Sequence, residues 1–506
     1  MKNLLLSAIL YFVLILCGFS QKKYESSWES LTNRELSEWV IDAKFGIYAH
    51  WGIYSVPAFG NEWYAKRMYD KDNEAYKHHV ETYGDPSRFG YKDFIPMFKA
   101  ENFDPAEWAD LIAASGAKYA GIAVVHHDGF LLWDSKVNPW NVGNMGPKRD
   151  LYGDLVTELR KKKDMKIIAT EHHIRTFDWY LPQSKESQEE GIKAKWDIFN
   201  KKYSQFYWNH YTGNFDDFIQ EWKSEIMEVI DKYQPDLLWF DGGNFQDEKS
   251  QKPVLDLLSY YMNRGEEWGK KVEVLNKLPT NMKFNFPIEY GLLTFEEGRD
   301  RPEHVYKPWI DDQKISTNSW GYIKGQTYKT PNEIVDGFID RVARGGGLLL
   351  SLCPLPDGTL NQPQKDILIR MGKWLDKNGE AIFATRPWKI QAEGDESVLR
   401  SDGNHGGWKF INCDASQIRF TMAKDKSEIY AIALDYPEGG KLKVVTLNAM
   451  TKVGDQGIDK IIYLGSGEIV RWTRDNVALY IELPEGADKD DLAYAFRIIP
   501  RGKLSE

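Results

Sequence analysis

Cysteine is scarce in this chain, with three residues in 506: Cys17, Cys353 and Cys413. That excludes a small fold stapled by disulfides, so stability must come from a large buried core. A basic excess is also missing. The formal charge is -10 at pH 7, which argues against nucleic acid or another polyanion held by bulk electrostatics and favours a neutral or weakly charged partner. Long apolar runs are confined to the start of the chain. Lys2 opens a short basic region, Leu4 to Leu16 is apolar, and Gly18-Phe19-Ser20 offers small residues to a signal peptidase. The run is short for a membrane span, and Leu16 precedes Cys17 where a lipoprotein signal prefers a small residue. The reading is therefore a signal peptide over 1–20, cleavage near Ser20 and export to the periplasm or the outside, in preference to a lipid anchor at Cys17 or stable membrane insertion. No internal repeat, His-x-His pair or His-Glu-x-x-His helix occurs. The last two absences weaken a zinc reading.

What the chain has in quantity is aromatic rings, with 19 Trp and 27 Tyr. Flat rings of this kind stack on the apolar faces of sugars. Apolar runs alternate with helical patterns through the first three quarters, the grammar of β/α units around a parallel sheet. The expected strands are Phe45–Ala49, Tyr119–Val125, Lys166–Thr170, Asp236–Phe240, Val272–Leu275, Gly291–Phe295 and Leu348–Leu352. Helix starts are marked by Asp104-Pro105-Ala106-Glu107 and Thr330-Pro331-Asn332-Glu333, each read as an N-cap, a first-turn Pro and a capping-box Glu. The segment from Gln183 to Asn214 is long for a βα loop and is expected to carry some helix. After Arg386 the alternation becomes two-residue, as in Glu428 to Leu434. The predicted class is α/β: a (β/α)₈-like, TIM-type barrel over 21–385, then an antiparallel β-sandwich over 386–506.

Several strands end in polar groups. Pro235 to Phe240 finishes at Asp241 with Gly242 and Gly243 behind it, and a core strand has no reason to finish on an unpaired ion. Asp241 is therefore expected at a polar pocket. Phe45–Ala49 leads to His50-Trp51-Gly52 and then Asn61-Glu62-Trp63-Tyr64; other strand ends are His126-His127-Asp128, Glu171-His172-His173 and Glu296-Glu297-Gly298. Five of the 10 His thus gather at three strand ends, as an active site at one barrel face requires. Two chemistries use such groups. Metal-dependent hydrolysis needs several convergent imidazoles, but neighbouring residues on a strand point to opposite faces, which leaves one inward ligand per His pair. Glycoside cleavage needs a nucleophile or base and a carboxylic acid flanking one bond. The nearby Trp51, Trp63, Trp133 and Trp239 favour the second.

At these positions the chain resembles glycoside hydrolase family 29, the α-L-fucosidases. The resemblance rests on Lys44 to Ile47 leading to His50-Trp51-Gly52-Ile53-Tyr54-Ser55-Val56-Pro57, and on Asn61 to Tyr64, His126 to Phe130 and Trp133-Asp134-Ser135. It continues through Trp239 to Gly242, Ser319 to Tyr322 and Gly346 to Leu350. It implies a retaining exo-hydrolase that releases terminal α-L-fucose from oligosaccharides or polysaccharides with no metal or organic cofactor. Carried over by position, Asp241 is the nucleophile and Glu296 the acid/base, with Glu297 as the alternative. His50, Glu62, Trp63, His126, His127, His173, Trp239 and Trp320 are the pocket candidates. There are departures: Val125 where many members have Lys, Glu171-His172-His173 in place of Tyr-Tyr-Ser, and Lys277-Leu278 after Asn276 where an Arg often follows. These keep an α-L-galactosidase acting on algal-type galactans as the near alternative, and a metal-dependent barrel hydrolase as the remote one.

Overall fold

A computed structural model describes residues 24–504 apart from 243–244, 246–247, 279–283, 299–304 and 400–408. The signal-peptide and Cys17 readings, and Gly243, lie outside the described residues.

Eight parallel strands close into a barrel: β1 (Phe45–Ala49), β2 (Tyr119–Val125), β3 (Lys166–Glu171), β4 (Leu237–Phe240), β5 (Glu273–Lys277), β6 (Leu292–Glu296), β7 (Trp309–Lys314) and β8 (Leu348–Leu352). Closure is made by β8 pairing with β1 from Phe45↔Leu348 to Ala49↔Leu352. β1, β2, β4 and β8 are buried along their whole length, because helices cover the outside of the barrel while side chains fill the inside. The strand that sequence reading lacks is β7, Trp-Ile-Asp-Asp-Gln-Lys. Its two aspartates are both buried, Asp311 against Arg341 and Asp312 against the Tyr48 hydroxyl at 2.8 Å.

The helix starts follow their caps. Thr330 and Glu333 form a reciprocal capping box at the head of Pro331–Ala343. Asp104 caps Pro105–Ala114 by accepting from the Ala106 and Glu107 N–H groups, but Glu107 closes no box and instead pairs with Lys365. The long β3–β4 excursion does carry helix, at Lys185–Ala194 and Ser204–Tyr207, before the barrel helix Phe215–Tyr233.

From Thr385 on come β9 (Thr385–Glu393), β10 (Ile418–Ala423), β11 (Ile429–Ala433), β12 (Lys441–Val444), β13 (Ile458–Tyr463), β14 (Glu468–Ile469), β15 (Trp472–Arg474), β16 (Leu479–Glu482) and β17 (Tyr494–Pro500), which form a six-stranded antiparallel sheet, β14-β13-β17-β11-β10-β9, and a three-stranded sheet, β12-β16-β15. Their inner faces share one core that includes Phe420, Ile461, Ile481 and Phe496. Helix Pro331–Ala343 lies between the barrel and β9 (Thr385–Glu393) with β10 (Ile418–Ala423), so residues all round it are buried from Ile334 to Ala343. Polar links cross this seam. Asp340 accepts from Arg344 Nε at 3.0 Å and from the fully buried Arg419 Nε of β10 at 2.6 Å. One residue on, Arg341 holds Asp311 of β7.

Candidate active site

Asp241 stands directly after β4, and Gly242 with φ of 70° turns the chain away behind it. Its carboxylate opens into a cavity of about 250 Å³ at the C-terminal mouth of the barrel. Lys277, the last residue of β5, bonds Asp241 Oδ1 and reaches Glu296 Oε2, at the end of β6, at 2.9 Å. The same ammonium lies 5.1 Å from the Trp239 ring centroid. On the other side of Asp241, His172 Nδ1 and His127 Nε2 lie 3.3 and 3.5 Å from Oδ2. Burial is the largest single influence on the Asp241 carboxyl and would raise it, but the Lys277 ammonium together with His172, His127 and Arg175 outweighs burial and holds it well below the usual carboxylate range. Lys277 is in turn kept charged: its carboxylate partners overcome the desolvation that would lower it.

The remaining wall is imidazole, indole and carboxylate. His50, His126, His127 and His172 are all buried, and burial depresses each one, His126 to about 3. They are therefore neutral imidazoles at working pH. His50 Nδ1 meets Ser351 Oγ at 2.7 Å, and His127 Nδ1 meets the His172 carbonyl at 2.7 Å. His126 Nδ1, both nitrogens of His172 and the Trp239 Nε1–H are buried with no hydrogen-bond partner among the described residues. Polar atoms so placed call for hydroxyl-bearing ligands. Glu62 is raised by burial and accepts from Ser319 Oγ and the Trp320 N–H, each at 3.2 Å. Trp63 and Trp320 flank the cavity, 5.7 Å from His127 and 5.1 Å from His50 between ring centroids. Candidate cation ligands are also here: the donor atoms of His50, His126 and His172, and those of His127, His172 and Asp241, lie within 4.8 Å of one another.

Of the residues singled out from sequence, His50, Glu62, Trp63, His126, His127, Trp239, Asp241, Glu296 and Trp320 converge on this cavity. Four expectations need correction. His173 is not at the pocket: its ring faces Glu225 at 3.5 Å and Thr176 Oγ1 at 2.9 Å, and His172 takes the pocket position. His126 and His127 both reach the cavity because β2 ends at Val125 after a register shift, so strand alternation no longer applies to them. Trp51 and Trp133 are core residues whose indole N–H groups bond the Leu355 carbonyl and Glu228. Glu297 also points elsewhere. It takes a positive φ of 50° after β6 and pairs with Lys314 and, at 3.0 Å, with Lys329. Those ammonium groups overcome its burial and pull its carboxyl down to about 2. Sequence reading missed Tyr48, Arg175, Lys277 and Asp312 as lining residues. Lys277 carried a signal, since it stands where the resemblance led to an arginine.

A closed β/α barrel with two carboxylates on one ammonium beside an indole-walled cavity is the layout of a glycoside hydrolase. Comparison with known proteins makes the class particular. Residues 15–380 match the model of the alpha-L-fucosidase family and residues 413–499 that of the alpha-L-fucosidase C-terminal domain. The chain belongs to the alpha-L-fucosidase family. Tissue alpha-L-fucosidase of Rattus norvegicus is 30% identical over 476 residues, covering 92% of this chain and 90% of that protein. The crystal structure of Thermotoga maritima alpha-fucosidase in complex with fucose superposes with a TM-score of 0.73 at 27% identity, covering 94% of this chain and 100% of the other. The same enzyme in complex with a mechanism-based inhibitor gives 0.72 at 28% identity, with the same coverage.

Proposed function

We propose that the protein is a retaining exo-α-L-fucosidase with Asp241 as nucleophile and Glu296 as acid/base. The observation that carries this reading is the shared Lys277. Because one ammonium bonds both carboxylates, the two bonded oxygens lie within about two hydrogen-bond lengths of each other, short of the roughly 6.5–9.5 Å by which an inverting enzyme separates its carboxyl groups. In the first step an Asp241 oxygen attacks C1 and forms a glycosyl ester. The glycosidic C1–O bond breaks, and its electron pair leaves with the aglycone oxygen, which takes the proton of Glu296. In the second step water attacks C1 and gives a proton to Glu296, and Asp241 departs as carboxylate. His50, His126, His127, His172 and Glu62 serve the sugar hydroxyls, and the Trp rings its apolar face. The fucose complex and the mechanism-based inhibitor complex of the Thermotoga maritima enzyme support this reading. The apolar leader over 1–20 supports action outside the cytoplasm.

The test is release of nitrophenol from aryl α-L-fucoside and aryl α-L-galactoside by the mature protein, with and without chelator, followed by mass spectrometry of enzyme trapped with a 2-fluoro-fucosyl fluoride. Fucoside preference indifferent to chelator, with the label on Asp241, is expected. Asp241→Ala should lose at least about 10³-fold in kcat, as deletion of a nucleophile does. Retention of most of the rate would remove Asp241 from the chemistry.

A further inference from the structure

Glu62, Asp241, Glu296 and Asp312 share the interior of the cavity with Lys277, an excess of carboxyl groups. At the mouth the excess is of the other sign. Arg175, from the 3₁₀ turn after β3, lines the cavity and is itself exposed. Its guanidinium lies over the Trp63 ring, 5.6 Å from the centroid. Trp63 heads the one-turn helix Tyr64–Arg67, so Lys66 and Arg67, three and four residues on, share its side of that turn. The Arg175 charge acts inward on Asp241, His126 and His127. It also acts outward: after burial it is the main influence that lowers the Lys66 ammonium, against a smaller opposite pull from Asp70. Among the described residues none of Arg175, Lys66 and Arg67 closes an ion pair or donates a side-chain hydrogen bond. Like charges so gathered repel one another, and in a chain with 75 acidic residues against 65 basic ones carboxylate partners are not scarce.

Resting on the α-L-fucosidase reading above, we propose that Arg175, with Lys66 beside it, forms an anion subsite at the mouth and selects glycans in which the sugar that carries the fucose bears a sulfate ester or a carboxylate. A terminal fucose occupies the cavity between Asp241 and the imidazoles, which leaves the exposed rim to the leaving sugar. A guanidinium stacked on an indole keeps its N–H edge free and presents paired donors to the oxygens of a sulfate or a carboxylate. Trp63 then serves two neighbours, the sugar inside the cavity and the arginine outside it. The match is to a single anionic substituent and not to a densely charged polymer. The net charge of -10 repels the polymer, whereas a local group of cations holds one anion.

The test is a panel of α-L-fucosyl-(1→2)-, (1→3)- and (1→4)-linked disaccharides whose second sugar is galactose, galactose 6-sulfate or galacturonic acid, read as kcat/KM for fucose release at low salt. C6 is free in all three linkages. In the linkage that the wild type cleaves best, an anionic member should be favoured over the neutral one by about fivefold or more, and about 0.5 M NaCl should erase most of the preference. Because the Arg175 charge also reaches Asp241, each variant is judged by its ratio of anionic to neutral substrate and not by its rate. Arg175→Gln should bring the ratio to about one or below, Lys66→Gln should lower it in part, and Arg175→Lys should keep part of it. A wild-type ratio at or below one, or a ratio unchanged when Arg175→Gln and Lys66→Gln are combined, would overturn the inference and leave the fucosidase reading intact. A preference that arises only when the sulfate sits on the fucose itself would also overturn it, by moving the anion into the cavity. If no α-L-fucoside is cleaved, neutral or anionic, the fucosidase reading itself fails, and the inference with it.

Discussion

Replacing Glu297 by Gln separates the two adjacent carboxylates at the end of β6. The substitution keeps shape and removes the charge that Lys314 and Lys329 share. The carboxyl is held at about 2, against about 4.3 for a free Glu, and a gap of that size corresponds to about 3 kcal/mol of native-state stability. The side chain is 18% exposed, so solvent screening takes only a small part of this. The sign follows from the direction. A carboxyl lowered on folding stabilises the protein above its unfolded value, and the contribution drains away as pH falls from about 4.3 toward 2. Denaturant titration of wild type and Glu297→Gln at pH 7, following the transition that reports the barrel, should show the variant weaker by about 3 kcal/mol, with the gap narrowing below about pH 4. Turnover of aryl α-L-fucoside should stay within about threefold of wild type, because Glu297 does not line the cavity. A fall of about 10²-fold or more with azide rescue and unchanged stability would refute this reasoning and make Glu297 the acid/base.

Three further outcomes are expected. Glu296→Ala should lose about 10²–10⁴-fold on natural glycans and far less on nitrophenyl substrates, with azide restoring turnover of the latter; equal losses on both would contradict an acid role. His126 and His173 are each lowered to about 3 by burial. The unfolded chain therefore binds protons first as pH falls below about 6.5, and equilibrium stability should decline from there downward, an onset that flat denaturation midpoints between pH 7 and 5 would rule out. Asp340→Ala removes the carboxylate held between the buried Arg344 and Arg419 and leaves Glu396 as the carboxylate facing both. It should cost about 3–5 kcal/mol and expose the segment after Thr385 to limited proteolysis, whereas wild-type resistance would show the pair to be dispensable.

Much of this architecture is written in local pattern. Strands buried on both faces read as continuous apolar runs, so β1, β2 and β8 carry the same bounds in the sequence as in the structure. β7 was illegible because Asp311, Asp312 and Gln313 look like loop residues until Tyr48 and Arg341, far away in the chain, supply their partners. The site divides along the same line. Asp241 and the paired histidines stand out at strand ends, but the choice of His172 over His173 depends on where β3 stops and on the short 3₁₀ turn at His173–Arg175. Lys277 showed in the sequence only as a departure, a lysine after Asn276 where the resemblance led to an arginine. Only the barrel's closure, which sets β4, β5 and β6 side by side, puts its ammonium between two carboxylates.

The back-to-back aspartates of β7 have a practical consequence. Asp312 braces Tyr48 in the cavity wall, and Asp311 is gripped by the helix whose next residue inward along the chain, Asp340, grips the C-terminal sheet. Withdrawal of Arg419 from Asp340 would therefore loosen helix Pro331–Ala343 and, through it, the grip of Arg341 on Asp311, the residue before the one that holds Tyr48 in the cavity wall. Efforts to prolong working life belong at that joint, with apolar packing between β10 and helix Pro331–Ala343, and not at the mouth where the chemistry occurs.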